Sequence, residues 1–150
     1  MKIYIDADAC PRAAKEIIYK KAEKRIIEVI LVANQFIRTP ESDLFQSLVV
    51  SDGFDAADDK IVELCEEGDL VITADIPLAD RVVKKGAFAL NSRGQLLDER
   101  NISNRLATRN LMDELRSSGI DTGGPPPYNE RNKQEFNNAL DRFLTRHHQS

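Results

Sequence analysis

The sequence predicts an α/β fold: a mostly parallel sheet in three layers, with helices on both faces and further helices at the C-terminus. Three observations carry this. Short apolar runs alternate with helix-periodic stretches along the chain. Strands joined by helices pair in parallel and need cover on both faces. Turn residues punctuate the boundaries, notably Ser51-Asp52-Gly53, Gly68, Gly86 and the run GGPPPY at 123–128.

Taken in order, KIYI opens the chain as a buried strand. Pro11 suits a first helical position, and Ala14, Ile17, Ile18 and Ala22 recur on one helix face. IIEVILVAN is a second strand, FIRTPESD a loop and FQSLVV a third strand. ADDKIVELCEEG reads as a short helix stopped by Gly68. DLVITAD is a fourth strand. IPLADRVVKKG is a helix closed by Gly86, and AFALN is a fifth strand that SRG turns into a short QLL return. A helix is expected over roughly 102–118, with Ile102, Leu106, Leu111 and Leu115 as core positions. GGPPPY breaks the chain as a stiff linker or a rim. A last helix starts near Asn129 and presents Phe136, Ala139, Leu140, Phe143 and Leu144.

A chain of 150 residues, 41% hydrophobic and 31% charged, is enough for one domain spanning 1–150. No apolar run approaches the ~20 residues of a membrane span. The N-terminus reaches Asp6 before any signal-peptide core can form, so a cytoplasmic protein with no membrane partner is expected. Cys10 and Cys65 are the only cysteines and form no zinc pattern. His147 and His148, the only histidines, lie in a polar tail, which leaves no credible histidine for a Ser-His or Cys-His engine. Cys10, at a helix start, reads as a packed or capping thiol. The net charge of −4 conceals an asymmetry. Residues 1–80 hold nine Lys and Arg against 17 Asp and Glu, a net of −8; residues 81–150 hold 12 against eight, a net of +4. This is either a matter of solvated helix faces or an acidic centre facing a basic platform for an anion.

The chemistry concentrates in carboxylates. Asp6 and Asp8 end the first strand one residue apart, so they project toward one spot if the strand persists. Asp75 ends the fourth. Ligands of such sheets bind beyond the carboxyl ends of the strands where strand order reverses. If the first and fourth strands are neighbours, the three acids meet there. Asp52, Asp55, Asp58 and Asp59 add further carboxylates, with Asp58 at the start of a helix leading into the fourth strand. Crowded carboxylates with no histidine suit the hard cations Mg²⁺ or Mn²⁺. The plainer explanation for each acid is a helix cap. No glycine lies in the first strand–helix loop, which excludes a dinucleotide or Walker-type phosphate cradle. Arg93 in the NSRG turn, Arg105 and Arg109 on one helix face, and Tyr128 as a stacking ring are the candidate phosphate and nucleic-acid contacts.

The strings DADACP, VANQ, GFDAADDKIVELCEEGDLVITADIPLA, ALNSRG and GGPPPY resemble the bacterial YaiI/YqxD family over nearly the whole chain. That family resembles, more distantly, PIN-like nuclease domains. The second resemblance implies strand order 3-2-1-4-5 and an acidic, metal-dependent ribonuclease site. It places the first-strand acid on Asp6, the helix-opening acid on Asp58 within Ala57-Asp58-Asp59-Lys60-Ile61, and the acid after the fourth strand on Asp75 within Thr73-Ala74-Asp75. These three are the implied catalytic residues. With Asp8 they are the implied metal ligands, and Asp55, Asp59 and Asp80 are further candidates. A fourth acid is absent where the pattern expects it, at Pro77 and Leu78; Asp8 or Asp80 would fill the gap. The implied activity is hydrolysis of a phosphodiester with Mg²⁺ or Mn²⁺ as cofactor, and RNA or another phosphate-bearing substrate as partner. Two alternatives stand beside it. DAD and DIPLAD imitate a haloacid-dehalogenase-like phosphatase with Asp6 as nucleophile, although no room for that fold's flap follows Asp8. A domain that binds RNA or protein without turnover is the other.

Overall fold

The computed structural model describes residues 1–51, 53, 55–117, 119 and 127–147, the side chains of Arg109, Asp113, Arg116 and Ser117 excepted. Asp52, His148, residues 123–126 of the GGPPPY run and the Arg109 side chain lie outside the described residues.

Six strands form one sheet in the order β3-β2-β1-β4-β5-β6. They are β1 (Lys2–Asp6), β2 (Glu28–Ala33), β3 (Phe45–Val49), β4 (Leu70–Ile72), β5 (Phe88–Leu90) and β6 (Leu96–Leu97). The expected order 3-2-1-4-5 is present, extended by the QLL return, which pairs antiparallel with β5 through Ala89↔Leu97 and Leu90↔Leu96. All other pairs are parallel. The helices are α1 (Arg12–Arg25), α2 (Ala56–Leu64), α3 (Ile76–Lys84), α4 (Glu99–Ser117) and α5 (Glu130–His147).

The three layers follow from side-chain alternation along the strands. Ile3 and Ile5 of β1 point into a core built with Ala14, Ile17, Ile18 and Ala22 of α1 and Phe136, Leu140 and Leu144 of α5. Tyr4, between them, points to the opposite core, with Ile61 of α2, Leu78 and Val82 of α3, and Ile102 of α4. The apolar faces expected for the first and last helices are both buried.

Several boundaries depart from expectation for local reasons. The second strand begins at Glu28, because Ile26 instead closes α1 in the left-handed conformation, φ +56°. The second helix ends at Leu64 and not at Gly68. The carboxylate of Asp69, itself buried, takes the Glu66 N–H at 2.9 Å and the Lys2 N–H at 2.9 Å, which draws the chain out of the helix. The fourth helix begins at Glu99, three residues early. Asp98 and Asn101 cap it reciprocally, each side-chain oxygen accepting the other's backbone N–H at 2.9 Å. Leu111, expected in the core, is 53% exposed, whereas Ile102 is buried and Leu106 packs at the margin of the core.

Gly94 sits in the turn between β5 and β6 at φ +88°. A Cβ there would lie 2.7 Å from the backbone oxygen of Glu135 in α5. Both the conformation and the close approach require glycine.

Candidate functional site

The strand order reverses between β1 and β4, since the chain runs outward one way through β2 and β3 and the other way through β5. Asp6 is the last residue of β1, and Asp75 follows β4 as the N-cap of α3. The two elements are tied by Thr73, which is buried. Its hydroxyl donates to Asp6 Oδ2 at 3.0 Å and accepts the Asp75 N–H at 3.0 Å. Asp75 Oδ1 in turn accepts the Leu78 N–H at 3.0 Å, a helix cap of the ordinary kind. Asp8, beyond the strand, is exposed and accepts the Asn34 N–H at 2.9 Å, holding the start of the loop after β2. Each of the three carboxylates thus spends one oxygen on the fold, and the other remains.

Asp58 and Asp59 lie in the first turn of α2. That position favours the ionised form. Burial nevertheless pushes the Asp58 carboxyl up to about 7, with Asp75, Asp6 and Asp55 adding to the rise and Arg81 opposing it. Asp6 is also raised, first by burial and then by Asp75 and Asp8, while the Thr73 hydrogen bond holds it down. The carboxylates of β1, α2 and the β4 end therefore feel one another, and the structure gathers the three acids that the resemblance singled out.

The remaining acids are placed differently. Asp59 pairs with Arg81 at 2.9 Å and Asp80 with Lys84 at 2.8 Å. Asp55 is exposed, with φ +60°, ahead of α2. Among the described residues no group of three or more His, Cys, Asp or Glu side chains is arranged to hold a metal ion.

Three of the four candidate phosphate contacts, Arg93, Arg105 and Tyr128, are engaged within the chain. Arg93 Nη1 donates to Asn132 Oδ1 at 3.0 Å, at the start of α5. The Tyr128 hydroxyl donates to the Ser92 carbonyl at 2.8 Å. Arg105 donates to the side chain of Gln95. Arg109 lies on α4, on the backbone alone. NSRG is the turn expected of it, closed by Gly94 N–H to Asn91 O at 3.1 Å.

Two contributors were missed. Thr73 was visible only as a letter of the T-A-D string; the usable signal was a hydroxyl two residues before a strand-end acid. Asn34, whose N–H holds Asp8, gave none. A cavity of about 10 Å³ lies beside Asp6, lined also by Cys10, Thr73 and Ser92, with room for about one water. Burial pushes the Cys10 thiol up to about 12, so it stays protonated and inert at neutral pH.

Among the described residues, no helix is long and apolar enough to cross a membrane. No solved structure matches the chain. The family described as uncharacterized BCR, YaiI/YqxD, matches residues 4–146. A UPF0178 protein of Maridesulfovibrio salexigens is 55% identical over 97% of each chain. UPF0178 proteins of Burkholderia ambifaria and Burkholderia cenocepacia are each 54% identical over 98% of both chains. With a family match over nearly its full length and relatives above half identity, the chain belongs to the YaiI/YqxD family.

Proposed function

We propose that the chain hydrolyses phosphodiester bonds at the ends of β1 and β4 with the help of a divalent cation. One observation supports this above others. Carboxylates from three separate elements lie within reach of one another at the point where strand order reverses, and burial there, with the neighbouring acids adding to it, lifts Asp58 to about 7. Folding tolerates such repulsion where a function uses it.

The donor set fits a hard cation, although no cage of three carboxylates stands ready among the described residues. Magnesium-type ions need less: one or two carboxylates, with waters and substrate phosphate oxygens completing the shell. Asp6 and Asp75 would hold the ion through the oxygens the fold leaves open, with Asp8 beside them. When bound, Mg²⁺ or Mn²⁺ supplies charge neutralisation at the phosphate and at the attacking oxygen. Thr73 keeps the Asp6 carboxylate oriented. Asp58, poised near neutrality, accepts a proton from the attacking water, the task for which a carboxyl of that affinity is suited. Asp59 and Asp80 serve α2 and α3 through their ion pairs and take no part.

A domain that binds without turnover is the second reading, favoured by the lack of a three-carboxylate group among the described residues. The deciding assay incubates single-stranded RNA, single-stranded DNA and a phosphomonoester with Mn²⁺. Wild type is compared with Asp6→Asn and Asp75→Asn from parallel preparations. Asparagine keeps the oxygen that Thr73 or Leu78 requires, so both variants should fold. Hydrolysis by wild type alone is expected. Equal cleavage by all three would mean a contaminating nuclease, cleavage of the monoester alone would point to a phosphatase, and no cleavage of any substrate would favour the binding domain.

A further inference from the structure

We propose that Phe36 and the groove beside it form a platform for single-stranded nucleic acid, one base stacking on the ring and flanking phosphates lying along Arg12, Lys15 and Arg38. The substrate class rests on the phosphodiester reading; the surface rests on its own observations.

Phe36 is 72% exposed, on the loop that leaves β2. A lone exposed hydrophobe signifies little. This one is presented on a backbone fastened on both sides. Asn34 N–H bonds Asp8 Oδ2 at 2.9 Å, and Ile37 N–H bonds Ser47 Oγ at 3.2 Å. Holding an aromatic ring out on a tethered loop lowers the entropy lost when a flat partner stacks on it.

The residues that follow Phe36 wall a groove of about 530 Å³ against α1, lined by Arg12, Lys15, Glu16, Tyr19, Ile37 and Arg38 among others. Its volume falls in the ~300–1,000 Å³ range of small-ligand sites, enough for a nucleotide unit. Three cations face one acid. Glu16 lies 3.5 Å from Arg12, while Lys15 and Arg38 have no ion-pair partner among the described residues.

The groove lies at the same end of the sheet as the carboxylates. Asp8 anchors the loop, and the Cys10 thiol senses both Lys15 and Asp6. A polyanion approaching crowded carboxylates on a chain of net charge −4 needs local cations to offset repulsion. An exposed aromatic immediately before the basic groove in the chain supplies both halves of single-strand recognition, the stacking and the backbone neutralisation. A second basic groove, between α1 and α5, includes Lys20, Lys24 and Lys133 but no aromatic residue. It serves as the comparison surface.

The test is equilibrium binding of labelled RNA and DNA homopolymer oligonucleotides in EDTA, read by fluorescence anisotropy across a salt series. Phe36→Ala should weaken binding about tenfold, and Phe36→Trp should retain it. Lys15→Gln and Arg38→Gln should each flatten the logarithmic salt slope by about 0.7. Lys133→Gln should bind like wild type. Wild-type affinity in Phe36→Ala, an equal loss in Lys133→Gln, or no binding by wild type would overturn the platform. EDTA separates the two ideas. Platform-dependent binding without cleavage in Mn²⁺ leaves the surface standing and sinks the hydrolytic reading. Cleavage with normal binding by Phe36→Ala does the reverse.

Discussion

The Thr73 hydroxyl joins the Asp6 carboxylate across the seam between β1 and β4, at 3.0 Å. Because the same oxygen receives the Asp75 N–H, one buried hydroxyl sets the positions of two strand-end acids. Thr73→Val keeps the shape and removes both bonds. It should cost about 1–2 kcal/mol, since a backbone N–H loses its acceptor. It should also move the Asp6 carboxyl further up, because the hydrogen bond is what holds it down. Thr73→Ser should restore both. Denaturant melts and a carboxyl-resolved NMR titration read the two effects; a Val variant with wild-type stability and titration would refute the role.

The raised Asp58 carboxyl predicts that the metal-free protein is more stable in mild acid than in alkali. A carboxyl that binds its proton more tightly folded than unfolded stabilises fully below the unfolded value, near 4, and loses that contribution as pH climbs through about 7. Asp58→Asn should flatten this slope, leaving the share that the raised Asp6 carboxyl contributes in the same sense. It should raise stability at pH 8 by roughly 1 kcal/mol, the figure being reduced for solvent screening of a half-buried group, or about 2–4 °C in Tm. Thermal melts of both proteins from pH 4 to pH 8 in EDTA check it, and parallel pH profiles would contradict it.

Ile26 is a β-branched residue at φ +56° that is 76% exposed. It holds a strained backbone for no packing return. Ile26→Gly should therefore stabilise by about 0.5–1 kcal/mol, the relief of strain exceeding the added freedom of the unfolded chain. A fall in Tm on this substitution would show that Ile26 makes a contact that its exposure conceals.

Gly94→Ala should act in the opposite sense. The new methyl meets the Glu135 carbonyl in a conformation that alanine resists, and neither backbone can yield cheaply. A loss of about 2–3 kcal/mol is expected, with hydrogen exchange accelerated in α5. Unchanged exchange in α5 would mean that the turn gives way by itself.

Apolar runs alternating with helix-periodic stretches made the layered sheet legible from sequence, and the unbroken apolar run of β1 fits it, Ile3 and Ile5 filling one core and Tyr4 the other. Asp6 and Asp75 were legible for a related reason: strand ends in such a sheet converge whatever their side chains do. What escaped depends on long-range partners. No local pattern shows that Asp69 will bond Lys2 N–H and shorten α2, or that Arg93 and Tyr128 will brace the start of α5. A charged side chain reads the same whether it meets solvent, ligand or its own fold. The α1 cations were hidden by averaging, since the net of −8 for residues 1–80 conceals a helix with six bases and two acids.

β1 is made first yet lies in the middle of the sheet. Its registered partners are Lys2 with Glu28 on one side and Ile3 with Leu70 on the other. On the ribosome, the opening strand must wait for the second neighbour until residue 70 emerges, and Asp6 meets Asp75 later still. Pairing over such separations slows folding relative to hairpin-built sheets. Helix α5, synthesised after all six strands, supplies Phe136, Leu140 and Leu144 to the core that already holds α1. Until it docks, the nascent chain carries Asp6 and Asp75 on a sheet whose α1 face is only partly covered.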